Sequence, residues 1–216
     1  MTDIVIVGAG QAGGSAALQL RSAGFKGAIT LIGAEPHPPY ERPPLSKAYL
    51  TGELAYDALL LRPSKFYPEQ NVQLLTDTSV TSVDLAAKTV TTAEKQTLQF
   101  DKLLLATGAR PRQLPIPGAD LPGVHYLRTL GDVAALQKTM ERAQNVCLIG
   151  GGYVGLEFAS VARKAGLNVT VLEAADRLLQ RVTTPEMSEY FADLHRSHGV
   201  DVCVGACIQE IQGAGQ

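Results

Sequence analysis

Two stretches of this chain decide its fold: Gly8-Ala9-Gly10-Gln11-Ala12-Gly13 and Gly150-Gly151-Gly152-Tyr153-Val154-Gly155. Each has the spacing G-x-G-x-x-G and follows a short apolar run, Ile4 to Val7 in the first case and Val146 to Ile149 in the second. In such a motif the first glycine permits a tight turn, the second lets the backbone approach a pyrophosphate, and the third lets the helix pack closely on the strand. The phosphate then lies at the helix N-terminus, where backbone amides are free to donate. The sequence therefore predicts two dinucleotide sites.

A carboxylate follows the second predicted strand of each half. Glu35 comes after the run Ala28 to Ile32, and Glu173 comes after Val169 to Leu172. They lie 27 and 23 residues beyond the first glycine of their motifs, near the spacing of about 20 at which a carboxylate bonds an adenosine ribose. A lone glycine motif is weak evidence, whereas two motifs with two carboxylates indicate that electrons pass between two bound dinucleotides.

Composition excludes several function classes. The formal net charge of −2 over 216 residues provides no broad basic field for nucleic acid or an anionic membrane. No apolar run reaches the roughly 20 residues of a membrane helix, and the N-terminus lacks the pattern of a signal peptide. The three cysteines show no secreted disulfide framework, so we expect a cytoplasmic protein. The four histidines show no metal-ligand spacing with cysteines or carboxylates, and we assign no metal.

Alternating strands and helices predict an α/β fold with two Rossmann-like lobes, each with a parallel sheet. A change to period two between Val80 and Leu105 predicts a small antiparallel β insertion in the first lobe, with a hairpin tip at Glu94-Lys95. A run of Pro and Gly residues after Gly108 places the domain boundary there, giving a first lobe over residues 1–110 and a second over residues 111–216. We also expect a short helix near Leu45 to Leu50 and a capping box between Thr183 and Glu186.

Together these residues resemble the FAD-dependent, NAD(P)H-linked ferredoxin reductases, the flavoprotein partners of dioxygenase and cytochrome P450 electron chains within the pyridine nucleotide-disulfide oxidoreductase superfamily. The identifying segments, besides the two glycine motifs and their carboxylates, are Glu41-Arg42-Pro43-Pro44-Leu45-Ser46-Lys47, Ala106-Thr107-Gly108 and Leu127-Arg128-Thr129. The resemblance implies further segments beyond Gln216, namely a third FAD-contact motif and a C-terminal interface domain. We therefore expect this chain to be the N-terminal part of a longer protein.

The resemblance implies that the first lobe binds FAD, with Glu35 on the adenosine ribose and a backbone contact from Val80 near the adenine. Lys47 is similar to a family lysine near flavin N5, where a cation favours the reduced, anionic ring. The alternatives are that Lys47 is a solvated helix cap and that Arg42 has no cofactor role. The residues implied at the FAD are Gly8, Gly10, Ala12, Gly13, Glu35, Arg42, Lys47, Val80, Ala106, Thr107, Gly108 and Arg128.

The resemblance implies that the second lobe binds the nicotinamide cofactor, with Glu157 beside the nicotinamide and paired with Lys47. The alternative for Glu157 is an ordinary first-turn carboxylate stabilised by the helix dipole. Glu173 favours NADH over NADPH because it accepts a bond from the ribose 2′-hydroxyl and repels a 2′-phosphate, for which Arg177 and Arg181 could partly compensate. The residues implied there are Gly150, Gly152, Tyr153, Val154, Gly155, Glu157, Glu173 and Arg181.

The resemblance favours a 2Fe–2S ferredoxin or a rubredoxin as electron acceptor. Related disulfide reductases carry a redox cysteine in the region that here reads Leu45-Ser46-Lys47, and this chain has no cysteine before Cys147. Three alternatives stay open: a catalytically incomplete dinucleotide-binding module, a flavoenzyme like NADH oxidase, nitrite reductase or monodehydroascorbate reductase, and a scaffold like the apoptosis-inducing branch of the superfamily. The sequence leaves the oligomeric state open.

Overall fold

The computed structural model describes residues 2–213, and their contacts group the chain into two compact units. The first unit contains the chain up to Arg42 together with Ala55–Arg110, and the second contains Pro43–Leu54 together with the chain from Pro111 onward. Sequence reasoning had assigned all of residues 1–110 to the first lobe, so the segment Pro43–Leu54 differs from that expectation. No helix between residues 2 and 213 is long and apolar enough to cross a membrane.

The first unit contains a four-stranded parallel sheet and a separate three-stranded antiparallel sheet. Its elements are β1 (Ile4–Val7), α1 (Gln11–Ser22), β2 (Ile29–Ile32), α2 (Tyr56–Leu59), α3 (Phe66–Glu69), β3 (Val72–Leu75), β4 (Val80–Asp84), β5 (Thr89–Thr92), β6 (Thr97–Gln99) and β7 (Lys102–Leu105). The parallel sheet has the order β3-β2-β1-β7, and the antiparallel sheet has the order β4-β5-β6. The α/β class and the antiparallel insertion agree with the sequence prediction.

Apolar side chains from both faces of the parallel sheet form the core of this unit. Ile6 and Leu31 are fully buried on one face, where they pack with Ala17 of α1. Val5 on the opposite face packs with Val90 of the antiparallel sheet. Burial on both faces explains why the central strands read as continuous apolar runs.

The second unit contains a three-stranded parallel sheet in the order β10-β9-β8. Its elements are α4 (Leu130–Met140), β8 (Asn145–Ile149), α5 (Tyr153–Lys164), β9 (Asn168–Glu173), α6 (Pro185–Ser197) and β10 (Val200–Val204). The short 3-10 helix Pro43–Ser46 packs beside α4 and α5. Val171 on the central strand and Ala159 on α5 are fully buried.

Two local predictions need correction. The expected helix near Leu45 to Leu50 is a 3-10 helix over Pro43–Ser46 followed by turns, in which the Lys47 amide donates to the Pro44 carbonyl, three residues back rather than four. The N-cap of α6 is Thr184 and not Thr183: the Thr184 hydroxyl accepts from the amide of Met187, and Pro185 occupies the first helical position. A complete capping box is instead formed by Thr129 and Asp132 at the start of α4.

Candidate dinucleotide sites

Both glycine motifs lie at the carboxyl ends of parallel strands. The register pairs Val7 with Ile32 and with Leu105, so Gly8 and Ala106 follow strands that end side by side. The Gly8 amide donates to the carbonyl of Ile32 at 2.8 Å. Gly150 makes the same bond, at 2.8 Å, to the carbonyl of Leu172 in the second unit. Ligands of open α/β sheets bind at this edge, so each unit presents a site there.

The three glycines of each motif have different conformations and surroundings. Gly8 and Gly150 have φ angles of 112° and 111°, which favour glycine. A Cβ on Gly13 would overlap the carbonyl oxygen of Gly8, and a Cβ on Gly155 would overlap that of Gly150. In contrast, a Cβ on Gly10 or Gly152 would have no atom of the described chain within 4 Å. The middle glycine of each motif therefore opens onto free space at a helix end.

The helices that begin at these motifs have uncapped N-termini. Gly10 is the N-cap of α1 and Gly152 is the N-cap of α5, and glycine has no side chain to satisfy the first amides. Ala12, on the first turn of α1, is exposed at the same end. Free amides at the positive end of a helix dipole are suited to a phosphate group.

The Ala106-Thr107-Gly108 turn lies directly against the first glycine motif. A Cβ on Gly8 would overlap the Ala106 carbonyl and come within 2.9 Å of the Thr107 amide nitrogen. Thr107 and Gly108 are exposed, and Gly108 has a φ of 70°. Val80 begins β4 and packs partly buried against the core that contains Val5. The structure thus brings the predicted turn to the edge of the first site.

Glu35 forms a compact polar cluster with Tyr40 and Arg42. The Arg42 Nη2 lies 2.5 Å from Glu35 Oε1, and the Tyr40 hydroxyl donates to Glu35 Oε2 at 2.6 Å. Arg42 also donates to the Tyr40 hydroxyl at 3.0 Å and stacks over its ring. Sequence reasoning proposed Glu35 and Arg42 and considered Tyr40 only as a flavin cover or a core residue. Tyr40 is 3% exposed, and its bond to Glu35, which was not predicted, fixes the direction of the carboxylate.

Glu173 is held by the glycine loop of its own unit. Its Oε2 accepts from the Gly151 amide at 2.6 Å, and its Oε1 accepts from the Ala175 amide at 2.8 Å. Because a carboxylate has about four acceptor sites, it can still accept a bond from a ligand hydroxyl. Arg177 is committed to the Thr183 and Gln180 carbonyls and to the Ser188 hydroxyl. Arg181 is exposed on the same segment.

Lys47 and Glu157 form an ion pair in the second unit. The Lys47 Nζ lies 2.7 Å from Glu157 Oε2 and also donates to the Pro43 carbonyl at 3.1 Å. The Ser46 hydroxyl donates to the same Glu157 oxygen at 2.6 Å. Ser46 lies in a segment that the sequence singled out, but no role was predicted for it. Its contact joins residues 111 positions apart, for which the sequence carries no signal.

Tyr153, Val154 and Arg128 complete the predicted set. Tyr153 and Val154 are 55% and 51% exposed on the first turn of α5. Tyr153, Glu157, His195 and His198 are among the residues that line a groove of about 540 Å³. Burial, together with the neighbouring His198, holds the pKa of His195 below its usual value. The Arg128 backbone amide donates to Asp132 in the cap of α4.

Comparisons with known proteins point to one group of flavoproteins. The family model described as pyridine nucleotide-disulphide oxidoreductase matches residues 2–216. Rhodocoxin reductase from Rhodococcus erythropolis is 46% identical over 212 residues, which are 98% of this chain and 50% of that protein. The chain spans about half the length of the curated relatives it matches.

Two solved structures have nearly the same fold as the whole chain. The ferredoxin reductase for the CYP199A2 system from Rhodopseudomonas palustris matches with a TM-score of 0.96 and 42% identity, over 100% of this chain and 53% of that one. A covalent putidaredoxin reductase–putidaredoxin complex matches with a TM-score of 0.93 and 40% identity, over 99% of this chain and 52% of that one.

Proposed function

Because this chain belongs to the pyridine nucleotide-disulphide oxidoreductase family, we propose that it passes electrons from NADH through FAD to a one-electron acceptor such as a 2Fe–2S ferredoxin or a rubredoxin. The observation that carries the proposal is the doubled site. In each unit two parallel strands end side by side, and a glycine loop, the uncapped N-terminus of a helix and a carboxylate follow them. One dinucleotide site would support a dehydrogenase, whereas two in one chain support transfer between two cofactors.

The residues present fit both cofactors. The free space at Gly10 and Gly152 would be filled by a Cβ, and it lies where a pyrophosphate has to approach a helix N-terminus. In the first unit Glu35 would bond the adenosine ribose of FAD, and the Gly8–Gly13 loop with Ala12 would hold the pyrophosphate. In the second unit Glu173 would bond the adenosine ribose of the nicotinamide cofactor. When bound, NADH supplies a hydride and FAD takes up two electrons that it can release singly.

The roles of the chain's own residues are binding and electrostatic. Lys47 would present a positive charge where the flavin ring gains electrons, and Glu157 would hold that ammonium group and face the nicotinamide. Arg42 and Arg128 would lie near the flavin or its phosphates, and Val80 near the adenine. Tyr153 and Val154 would cover the stacking surface. None of these side chains is required as a nucleophile or general base.

We propose NADH as the preferred donor. Glu173 would bond the ribose 2′-hydroxyl of NADH, and a carboxylate there would repel a 2′-phosphate. Arg177 is already committed to three acceptors of the second unit. Of the two nearby arginines, only Arg181 is exposed and could compensate for that repulsion.

The three cysteines are free thiols, which supports a reducing compartment, and we propose the cytoplasm.

The acceptor proposal rests on the relatives and on the absence of a thiol from one segment. Proteins similar to this chain are named for ferredoxins, and one is solved in a complex with putidaredoxin. The segment Pro43–Leu54 contains no cysteine beside Lys47. Electrons would therefore leave the flavin directly to an external protein rather than through a disulfide.

The test is anaerobic visible absorbance of the chain supplied with FAD, titrated with NADH and separately with NADPH. We expect flavin bands that bleach at lower NADH than NADPH concentration, and reoxidation by added ferredoxin. FAD and NAD⁺ binding without bleaching would favour the binding-module alternative instead. Reoxidation by oxygen alone, with no effect of ferredoxin or rubredoxin, would contradict the proposed acceptor.

A further inference from the structure

Ser46 is a buried polar residue beside the Lys47–Glu157 pair. Its side chain is 4% exposed, whereas the side chains of Lys47 and Glu157 are 48% and 29% exposed. It ends the 3-10 helix Pro43–Ser46, in which Leu45 is also buried. Its hydroxyl donates to Glu157 Oε2 at 2.6 Å. A buried hydroxyl aimed at a carboxylate on another element is a specific arrangement, because an unbonded hydroxyl there would be costly.

The hydroxyl and the ammonium group share one oxygen of Glu157. Lys47 Nζ lies 2.7 Å from Oε2, and Ser46 Oγ lies 2.6 Å from the same atom. An ion pair with a half-exposed lysine fixes geometry poorly, because the side chain is long and solvent competes for the charge. A hydrogen bond from a short, buried side chain to a charged group is charge-assisted too, and it is better oriented.

The segment that carries Ser46 is itself held in place. The Gln137 side chain of α4 donates to the carbonyls of Tyr49 and Leu50, at 3.4 and 3.1 Å. The position of the Ser46 hydroxyl is thus set by packing within the second unit rather than by solvent. A donor on a fixed backbone can fix the carboxylate that it bonds.

We propose that Ser46 is a positioning residue: it holds the carboxylate of Glu157 in one orientation, and through it the ammonium group of Lys47, before the cofactors bind. The inference rests on the proposed function and adds a residue to its machinery. Preorganisation of charged groups lowers the barrier without adding contacts to the ground state. Loss of the hydroxyl should therefore slow flavin reduction more than it weakens nucleotide binding.

The kinetic test compares Ser46→Ala with Ser46→Thr and with Ser160→Ala. Ser160 lies on α5 one turn beyond Glu157, is exposed and makes no bond to Glu157 or Lys47, so it receives the same chemical change without loss of a contact of the pair. We expect Ser46→Ala to slow anaerobic flavin reduction at saturating NADH by roughly tenfold, the scale of one hydrogen bond to a charged group. The NAD⁺ dissociation constant should change less than about threefold. Ser46→Thr should restore the rate, and Ser160→Ala should leave it unchanged.

A double-mutant comparison separates positioning from a general structural effect. In a Glu157→Ala background, Ser46→Ala should have little further effect on the rate, because no side-chain acceptor is left for the hydroxyl to hold. A full additional loss would overturn the proposal. Equal effects of Ser46→Ala and Ser160→Ala would overturn it as well.

Infrared spectroscopy of the cofactor-free protein tests whether Ser46 positions Glu157, even if the proposed function is wrong. Isotope-edited infrared difference spectra against Glu157→Gln identify the carboxylate band of Glu157 in the cofactor-free protein. We expect Ser46→Ala to shift and broaden that band, Ser46→Thr to restore it and Ser160→Ala to leave it in place. An unchanged band in Ser46→Ala would show that Ser46 does not position the carboxylate. A wild-type flavin that NADH does not reduce would refute the proposed function alone.

Discussion

Each glycine motif contains one position that, in the proposed function, would serve ligand approach and one that serves packing. Gly152 has an ordinary extended conformation and free space in front of it, so nothing in the described chain requires it to be glycine. Gly155 lies against the carbonyl oxygen of Gly150, which cannot move without breaking the turn. Both positions are glycine in the sequence motif, so the motif alone does not distinguish their roles. The structure assigns them different physical roles.

This difference predicts opposite phenotypes for two alanine substitutions. Gly152→Ala should change the free energy of unfolding by less than about 1 kcal/mol but weaken NAD⁺ binding, because the new methyl occupies space before the helix end. Gly155→Ala should destabilise the protein by about 1–3 kcal/mol through overpacking. Urea unfolding followed by circular dichroism, with NAD⁺ titrations of each folded variant, measures both. Equal losses of stability in the two variants would contradict this assignment.

Glu173 provides a second residue-scale prediction, on cofactor choice. Glu173→Gln removes the charge that would repel a 2′-phosphate and keeps the side-chain size, at the loss of one of the two bonds that Glu173 accepts from the Gly151 and Ala175 amides. We expect the NADH-to-NADPH ratio of affinities to fall by about tenfold or more, the scale of one hydrogen bond to a charged group. Glu189→Gln, an exposed change on α6, is the matched control. An unchanged ratio in Glu173→Gln would remove the basis for preferring NADH. Arg181→Ala in the Glu173→Gln background should lower the affinity for NADPH.

His195 predicts how stability depends on pH. Its pKa is lowered in the folded protein by burial and by His198. The unfolded chain therefore takes up a proton first as the pH falls through about 6.5, and this favours unfolding. The stabilisation is present above that value and is lost below it, until the folded state is protonated too. Urea midpoints at about pH 7.5 and about pH 5.5 should differ less in His195→Asn than in the wild type. An identical drop in both would contradict the prediction.

Among the elements, those with strong local signals were predictable and those fixed by pairing were not. The two strand–glycine–helix units were predicted because periodicity and turn residues agree there. β3 was missed: Val72–Leu75 is four residues long, and its pairing with β2 decides its conformation. The 3-10 helix Pro43–Ser46 was predicted in the wrong form because its prolines fit several tight turns. A hydrogen bond between residues far apart in sequence, such as Ser46 and Glu157, produces no sequence pattern from which it could be predicted.

The start of α6 offers a test at the scale of an element. Thr184→Ala removes the hydroxyl that caps the Met187 amide and should lower the free energy of unfolding by about 0.5–2 kcal/mol. Thr183→Ala, one residue earlier, should change it by no more than about 0.5 kcal/mol, because the Thr183 side chain is not the cap. Chemical unfolding of the two variants under identical conditions makes the comparison. A larger loss in Thr183→Ala would restore the capping box expected from sequence.

For the whole molecule, we predict that each cofactor protects one unit. A ligand that binds only the folded state stabilises the structure it contacts. FAD should therefore slow amide exchange in β1, α1 and β2, and NAD⁺ should slow it in β8, α5 and β9. The exception is the segment Pro43–Leu54, which should respond to both cofactors, because Lys47 would lie at the flavin and both Ser46 and Lys47 contact Glu157. Hydrogen exchange read by mass spectrometry with each cofactor alone checks this. Equal protection of β1 and β8 by NAD⁺ would contradict it.

The interrupted first unit has a consequence for how such a protein can be recombined. The chain leaves that unit after Arg42, returns at Ala55 and leaves again after Arg110. A hybrid of two related proteins joined after Arg110 would take Glu157 from one parent and Ser46 and Lys47 from the other. A hybrid intended to exchange donor specificity therefore needs two segments from the same parent: the twelve residues Pro43–Leu54 and the chain from Pro111 onward. A short segment that is distant in sequence from the rest of the second unit therefore limits which hybrids would keep the Lys47–Glu157 pair from one parent.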